Sequence, residues 1–231
     1  MTLAQRVSNL REHLRYYHPR YKFILSLPKG SRVLDLGCGE CIAMSKFREL
    51  RPDLVFSAVD IQDVSGRVPP HVDFHQVDIQ ARPLPFGNSS FDAVYCSHVL
   101  EHLSSTHLVL QEIRRVLKDA GRVYLETPSL NSLFVPSFGY GRDQDVPFNF
   151  YDDPTHIKPF SKTGLLILLK RSGFSKITVA AARNPWSLLL SPYIFLRGLL
   201  TKDRPLLIVA VWEVTGWCIY AVAYNSKTEG S

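Results

Sequence analysis

The spacing of apolar positions along this 231-residue chain changes several times, and each change marks an element. Leu3, Val7, Leu10 and Leu14 fall on one face of a helix, with Arg6, Arg11 and Arg15 largely off it. A second short helix is expected near Tyr21–Leu27, stopped by Pro28-Lys29-Gly30. From there strands and helices alternate. Short buried strands are expected at Arg32–Leu36, Pro52–Asp60, Val72–Val77, Ser90–Cys96, Arg122–Glu126 and Phe174–Ala181. Helices are expected at Glu40–Leu50, with Ile42, Met44 and Phe47 available for packing, and at Ser104–Leu117, where Gly121 suits the left-handed position after the helix end. A further helix, Leu165–Arg171, is capped by Ser161 and ended by Gly173. An apolar helical insertion at Asn184–Pro205 and a last strand at Trp212–Tyr224 complete the chain. Strands separated by helices imply a parallel sheet with helices on both faces. The last two strands lack an ordinary polar helix between them, so they are expected to pair antiparallel at an edge.

This pattern divides the chain into an N-terminal helical cap, residues 1–30, and one α/β domain, residues 31–231. The irregular stretch 127–159 is long enough to be a functional loop, and 184–211 is an apolar insertion. Hydrophobic residues make up 45% of the chain and charged residues 21%, which excludes a disordered or fibrous protein. The net charge of +6 lies in residues 1–51, which hold ten basic and four acidic side chains, while the rest is neutral. A nucleic-acid binder carries a broad basic stripe across its working face, so this local surplus fits a local anionic partner or a solvated helix face better. Cys38, Cys41, Cys96 and Cys218 are too few and scattered for a disulfide scaffold, and no apolar run follows Met1, so a reducing, cytoplasmic setting is expected. Leu206–Tyr224 is about long enough and apolar enough to raise a membrane span, and Leu188–Leu200 is also apolar, but Glu213, Thr215 and Gly216 interrupt the longer run near its centre. Contact with a membrane surface, a homodimer through 186–211 and an extended core stay open for this region.

The segment Val33-Leu34-Asp35-Leu36-Gly37-Cys38-Gly39-Glu40 is a strand entering a two-glycine turn before a helix. Such a turn lets backbone amides approach a ligand at a helix N-terminus. A dinucleotide site would place a small residue three positions after Gly39, where Ile42 stands, so the expected ligand is a nucleoside without a pyrophosphate. Asp60 ends the second strand 21 positions after Gly39, the spacing at which a carboxylate meets ribose hydroxyls. Asp78 follows the third strand, and the neighbouring Ile79 suits packing on a base.

These residues resemble class I S-adenosylmethionine-dependent methyltransferases, more narrowly the small-molecule branch that includes ubiquinone-type and sugar-modifying enzymes. The resemblance covers about Arg32 to Tyr224. It rests on VLDLGCGE (33–40), AVDI (58–61), VDIQARPLPFGNSSFDAVYCSHVLEHL (77–103), LKDAGRVYLETP (117–128) and HIKPFSKTGLLILLKRSGF (156–174). It implies a Rossmann-like, seven-stranded, mostly parallel sheet with an antiparallel last strand, and S-adenosyl-L-methionine as cofactor. By that resemblance Asp35, Gly37, Cys38 and Gly39 line the methionine side, Asp60 binds the ribose, and Ile61, Asp78 and Ile79 flank the adenine. Cys96, Ser97 and His98 then lie beneath the methionine moiety.

Methyl transfer to an oxygen benefits from a general base. The candidates are Glu101, His102 and His156. The acceptor is expected to be a small molecule, a sugar or a lipid-linked glycan. Phe134, Phe138, Tyr140, Phe148, Phe150 and Tyr151 are candidate wall residues, and Tyr16, Tyr17 and His18 are placed to close the same pocket. A non-catalytic or membrane-associated S-adenosylmethionine-binding scaffold is the second reading. A nucleic-acid methyltransferase is the third, since the position after the fourth strand reads Cys96-Ser97-His98-Val99 in place of Asn/Asp-Pro-Pro-aromatic. His98-Val99-Leu100-Glu101-His102 matches a zinc-hydrolase spacing, but that motif belongs inside a helix and no third ligand stands out, so no metal is expected. Cys38-Gly39-Glu40-Cys41 lacks the second pair of a structural zinc site.

Overall fold

A computed structural model describes residues 15–137 and 147–226. The helix expected over Leu3–Leu14 lies outside the described residues, as do Phe138 and Tyr140. The chain runs α1 (Pro19–Leu25), β1 (Arg32–Leu36), α2 (Ile42–Leu50), β2 (Val55–Asp60), β3 (Asp73–Gln76), β4 (Phe91–Ser97), α3 (Thr106–Val116), β5 (Leu117–Pro128), α4 (Lys162–Arg171), β6 (Phe174–Ala181), α5 (Pro185–Thr201), α6 (Arg204–Thr215) and β7 (Cys218–Asn225). All seven strands form one sheet in the order β3-β2-β1-β4-β5-β7-β6. The first five pair in parallel, while β7 is antiparallel to both of its neighbours, β5 and β6. The antiparallel strand therefore lies inside the sheet, and β6 forms the edge.

Strand alternation sorts the core into two layers. Leu34, Leu36, Val94, Cys96, Val123 and Leu125 point to the face covered by α3 and α4, where Leu110, Ile113, Leu165 and Leu169 are buried. Val33, Ala93, Tyr95 and Tyr124 point to the other face and meet Tyr21, Phe23 and Ile24 of α1 and Met44 and Phe47 of α2. Ile42, at the start of α2, is exposed.

Three local expectations are corrected. Helix α3 passes directly into β5, and Ala120 rather than Gly121 takes the left-handed conformation, at φ +55°. At Gly121 the need is space: a Cβ there would lie 2.9 Å from the Lys118 carbonyl oxygen and 3.3 Å from that of Asp92. The strand expected from Trp212 begins at Cys218. Residues Arg204–Thr215 form a helix, capped by the Asp203 side chain on the Leu206 amide and ended by Gly216 at φ +65°.

Helices α5 and α6 form a hairpin packed chiefly on itself. Its base is tied to the sheet by a third small core of Val135, Phe148, Ile208, Trp217 and Cys218. The described parts of the 127–159 segment are anchored there too. The Ser129 hydroxyl donates to the Gly216 carbonyl at 2.8 Å, and the Trp217 indole donates to the Phe148 carbonyl at 2.6 Å.

Candidate functional site

The carboxyl ends of β1, β2 and β4 open onto a cavity of about 480 Å³. Its lining includes Gly37, Gly39, Asp60, Ile61, Asp78, Ile79, His98 and His102. The glycine turn is held from below, where the Gly37 and Cys38 amides donate to the Val59 carbonyl at 2.8 and 3.1 Å. Gly37 sits at φ +73°, and a Cβ there would lie 2.2 Å from Val99 Cγ2. Gly39 sits at φ +49°, with nothing within 4 Å of the corresponding position. Gly37→Ala is therefore expected to be the more damaging of the two alanine variants. It adds a steric clash to the backbone cost of about 1 kcal/mol that both share. Thermal unfolding of the two variants side by side checks this, and equal melting temperatures would contradict it.

Asp60 organises the far side of the turn. One carboxylate oxygen accepts the Gly39 amide at 2.8 Å and the other accepts the Gln62 amide at 2.9 Å. Each oxygen keeps acceptor capacity for a diol. Asp78 accepts the Gln80 amide at 2.9 Å, which fixes the loop carrying Ile79. Asp35 is buried beneath the turn, and burial together with the Asp60 charge pushes its carboxyl up to about 7. Cys38 and Cys41 are free thiols, both raised by burial. Cys96 is fully buried and points into the core layer under α3, while Ser97 is half-buried at the strand end.

A second cavity, of about 290 Å³, lies on the other side of His98. It is lined by His18, Arg20, Glu126, Asn184, Trp212, Glu213 and Cys218 among others. Arg20 pairs with the buried carboxylate of Glu126, which also accepts the Tyr124 hydroxyl. Burial alone would raise the Glu126 carboxyl, but Arg20, with His18 and His98, outweighs it and holds the group at about 2. Burial holds His18 down at about 4, so its imidazole is neutral. Burial also pushes the Glu213 carboxyl up to about 7, even though it accepts the Asn184 amide at 2.9 Å. The Trp212 ring stacks on Trp217 at 4.2 Å and its indole donates to the Pro147 carbonyl.

His98 stands between the two cavities. Its backbone is in the left-handed region at φ +56°, a conformation that costs a non-glycine residue energy and is concentrated at working sites. The amide is held by the Glu126 carbonyl at 2.8 Å. On the ring, Nδ1 lies 3.1 Å from the Glu101 carboxylate, while Nε2 faces Glu126 and Cys218 Sγ, each at 3.8 Å. Glu101 is fully buried and also accepts the Thr127 hydroxyl at 3.0 Å. Burial opposes a charge on His98, but the Cys218 sulfur and Glu101 outweigh it and hold the imidazole pKa well above its ordinary value.

The ligating atoms of Glu101, His102 and His156 come within 4.8 Å of one another. His102 lines the first cavity and bonds the Thr155 hydroxyl through Nδ1 at 2.8 Å. His156 stacks on Phe150 at 4.5 Å, and its Nδ1–H donates to the Phe150 carbonyl at 2.7 Å. It lines neither cavity. The run 98–102 is a turn followed by a single 3-10 helical turn at Leu100–His102, so its two histidines are not stacked on one α-helical face. Among the described loop aromatics, Phe148 and Phe150 are buried, Phe134 and Tyr151 are exposed, and none lines either cavity. His18 does line the second cavity. Arg20, Glu126, Trp212 and Glu213 line the second cavity and were not among the candidate site residues of the sequence. The signals available were a strand-end acid, Glu126, and a lone acid in an apolar run, Glu213.

Comparison with known proteins places the chain in a family. A family profile described as "Methyltransferase domain" matches residues 9–179. The 2-methyl-6-phytyl-1,4-hydroquinone methyltransferase of Synechocystis is 26% identical over 133 residues, 56% of this chain and 39% of that protein. The ubiquinone biosynthesis O-methyltransferase of Paracidovorax citrulli is 28% identical over 113 residues, 45% of this chain and 46% of that protein. This chain spans about two fifths to half of the length of these two relatives. The crystal structure of a SAM dependent methyltransferase from Archaeoglobus fulgidus superposes with a TM-score of 0.58 at 19% identity, covering 94% of this chain and 91% of that one. With the profile covering most of the chain and the fold superposing on such a structure, the chain belongs to the methyltransferase-domain family and has the fold of class I S-adenosylmethionine-dependent methyltransferases.

Proposed function

We propose that this protein transfers a methyl group from S-adenosyl-L-methionine, held in the first cavity, to an oxygen of an acceptor held in the second. The observation that carries the reading is His98, which lines the cofactor cavity and turns Nε2 toward residues of the other. The cofactor suits the residues present. A nucleoside needs a diol acceptor, an apolar slot for the base and a close backbone approach. Asp60, the Ile61–Ile79 pair and the Gly37–Gly39 turn supply these in turn. When bound, the cofactor supplies an electrophilic methyl on a sulfonium that is already a good leaving group. The protein's task is then to orient the acceptor and accept its proton. Glu101 fixes the tautomer of His98 by taking Nδ1–H, which leaves Nε2 as the proton acceptor once the ring is neutral. His102 borders the cofactor, and His156 supports the loop that carries Thr155.

A small-molecule, sugar or lipid-linked acceptor is supported by the modest size of the second cavity and the absence of a basic track outside residues 1–51. The names of the Synechocystis and Paracidovorax relatives support small-molecule chemistry as well. The free thiols support a reducing, cytoplasmic setting, with peripheral membrane association as its variant. The test is a methyl-transfer screen with labelled cofactor against phenols, quinone precursors, sugars, sugar nucleotides and lipid-linked glycans. Transfer to at least one oxygen acceptor is expected. Cofactor binding without transfer to any of them would favour the scaffold reading.

Asp35 gives a separate prediction. An incoming ammonium or sulfonium favours the ionised carboxylate, whose pKa of about 7 puts half of it in the protonated form near neutrality. Affinity for S-adenosylhomocysteine, which carries the ammonium, should be about tenfold weaker at pH 6 than at pH 8. Asp35→Asn should weaken binding and flatten that dependence. Calorimetry across this pH range checks both, and an unchanged wild-type affinity would remove Asp35 from the cofactor site.

A further inference from the structure

The α5–α6 hairpin turns an apolar face outward. Ser191 and Gly198 are the buried positions of α5, seven residues apart, and a Cβ at Gly198 would meet Leu207 at 2.8 Å, so the two helices are in close contact on that side. The opposite stripe, at three- and four-residue spacing, is Leu189, Tyr193, Leu196 and Leu200, exposed by 68, 54, 55 and 77%. Trp186 and Leu190 extend it. In a globular protein a stripe of this kind faces the core. An apolar groove of about 280 Å³ runs beside it, lined by Pro192, Phe195, Ala210, Val211 and Val214. The two hydroxyls in its wall are already used, Ser191 on the Ser187 carbonyl at 2.8 Å and Thr215 on the Val211 carbonyl at 2.7 Å.

Charge selects the occupant. Arg197 and Lys202 stand toward the tip of the hairpin, while Arg204 lies over the Phe148 ring at 5.4 Å. The two acids of the hairpin are committed elsewhere, Asp203 to capping the Leu206 amide and Glu213 to the buried Asn184 amide. A second copy would bring the same two cations to the contact, and against them near the tip only the Asp203 carboxylate, which already holds the Leu206 amide. An anionic lipid surface meets both the apolar stripe and the basic tip, and Trp186 and Tyr193 are residue types that settle at the headgroup boundary. Among the described residues no helix is long and apolar enough to cross a membrane, so the hairpin suits lying on a surface. Its inner side, through Asn184, Ser187, Val209, Trp212 and Glu213, lines the second cavity.

We propose that the α5–α6 hairpin seats the protein on an anionic lipid surface and thereby presents the second cavity to acceptors held in that surface. The choice of acceptor source rests on the methyltransferase reading, while the docking itself does not. The experiment is flotation of the full chain with phosphatidylcholine vesicles, with and without phosphatidylglycerol. The protein is expected to float with the mixed vesicles and to bind less when phosphatidylglycerol is omitted or salt is raised. The triple variant Leu189→Ser, Leu196→Ser, Leu200→Ser changes exposed side chains only and should lower the partition coefficient about a hundredfold. Its affinity for S-adenosylhomocysteine, measured by calorimetry, should stay at the wild-type value and so report an intact fold. No flotation with either vesicle, or flotation unchanged in the triple variant, would overturn the proposal. So would a dimer in sedimentation equilibrium that the triple variant dissolves while vesicles stay unbound. Absence of cofactor binding in a wild-type protein that still floats would instead contradict the methyltransferase reading and leave the docking in place.

Discussion

Replacing His98 with asparagine is expected to lower the methyl-transfer rate by about 10²–10⁴-fold, the usual contribution of a positioned general base. Nε2 is the imidazole atom turned toward the second cavity, and Glu101 holds the ring by Nδ1. The pH profile separates this role from a structural one. Cys218 and Glu101 raise the His98 pKa well above its ordinary value, so the ring keeps its proton at neutral pH and the rate should climb as pH rises through that raised value. Glu101→Gln removes a charge that favours the imidazolium, so it should move the rising limb to lower pH while also lowering the plateau. Cofactor affinity should change far less than turnover in either variant. A profile with no rising limb, or a Glu101→Gln limb displaced upward, would take His98 out of the role of base.

Loss of the Glu126 carboxylate is the second large effect. Glu126 is 1% exposed and carries the counter-charge for Arg20, whose guanidinium faces the second cavity. Glu126→Ala takes from that guanidinium the carboxylate it pairs with and removes the acceptor of the Tyr124 hydroxyl. A cost of about 3–5 kcal/mol is expected from breaking a buried pair on one side, toward the lower end because Arg20 retains access to the cavity. The same pair sets an acid limit. A carboxyl held at about 2 when folded, against an ordinary 4.5, contributes stability that is complete above the unfolded value. That contribution fades as pH falls through the window between the two values. Denaturant melts of wild type and Glu126→Gln should therefore converge as pH falls through this window. Melts that stay parallel throughout would show that the pair contributes little.

Much of the sheet was legible because buried strands separated by amphipathic helices keep their periods apart. Arg32–Leu36 and Phe174–Ala181 begin and end where their apolar runs do. The misreading at Trp212–Thr215 has a physical origin. Helix α6 is apolar on nearly every side, though it packs chiefly on α5, so its period is erased and its Val and Trp content imitates a strand. The local signs of a helix were present in Asp203 as cap and Pro205 in the first turn. Gly121 was credited with a positive φ that Ala120 adopts, because sequence shows that a glycine is needed but not whether the reason is torsion or space.

The residues gathered in the first cavity were legible for a related reason. They sit at or just after the ends of β1, β2, β3 and β4, each with its own local strand-end signal, and these four strands are neighbours in the sheet. The second cavity joins Arg20, Glu126 and Glu213, which are about a hundred residues apart in sequence. They meet only because Glu126 pairs in register with Tyr220 of the inserted antiparallel strand, while α1 packs on the same face. No local pattern records that meeting.

The most direct test of the two-cavity arrangement is a crystal structure with S-adenosylhomocysteine. The adenosine should lie between Ile61 and Ile79, with its ribose on Asp60. The sulfur should point past His98 toward the cavity lined by Arg20, Trp212 and Glu213. A product bound elsewhere, or in the first cavity with its sulfur turned away from His98, would contradict it.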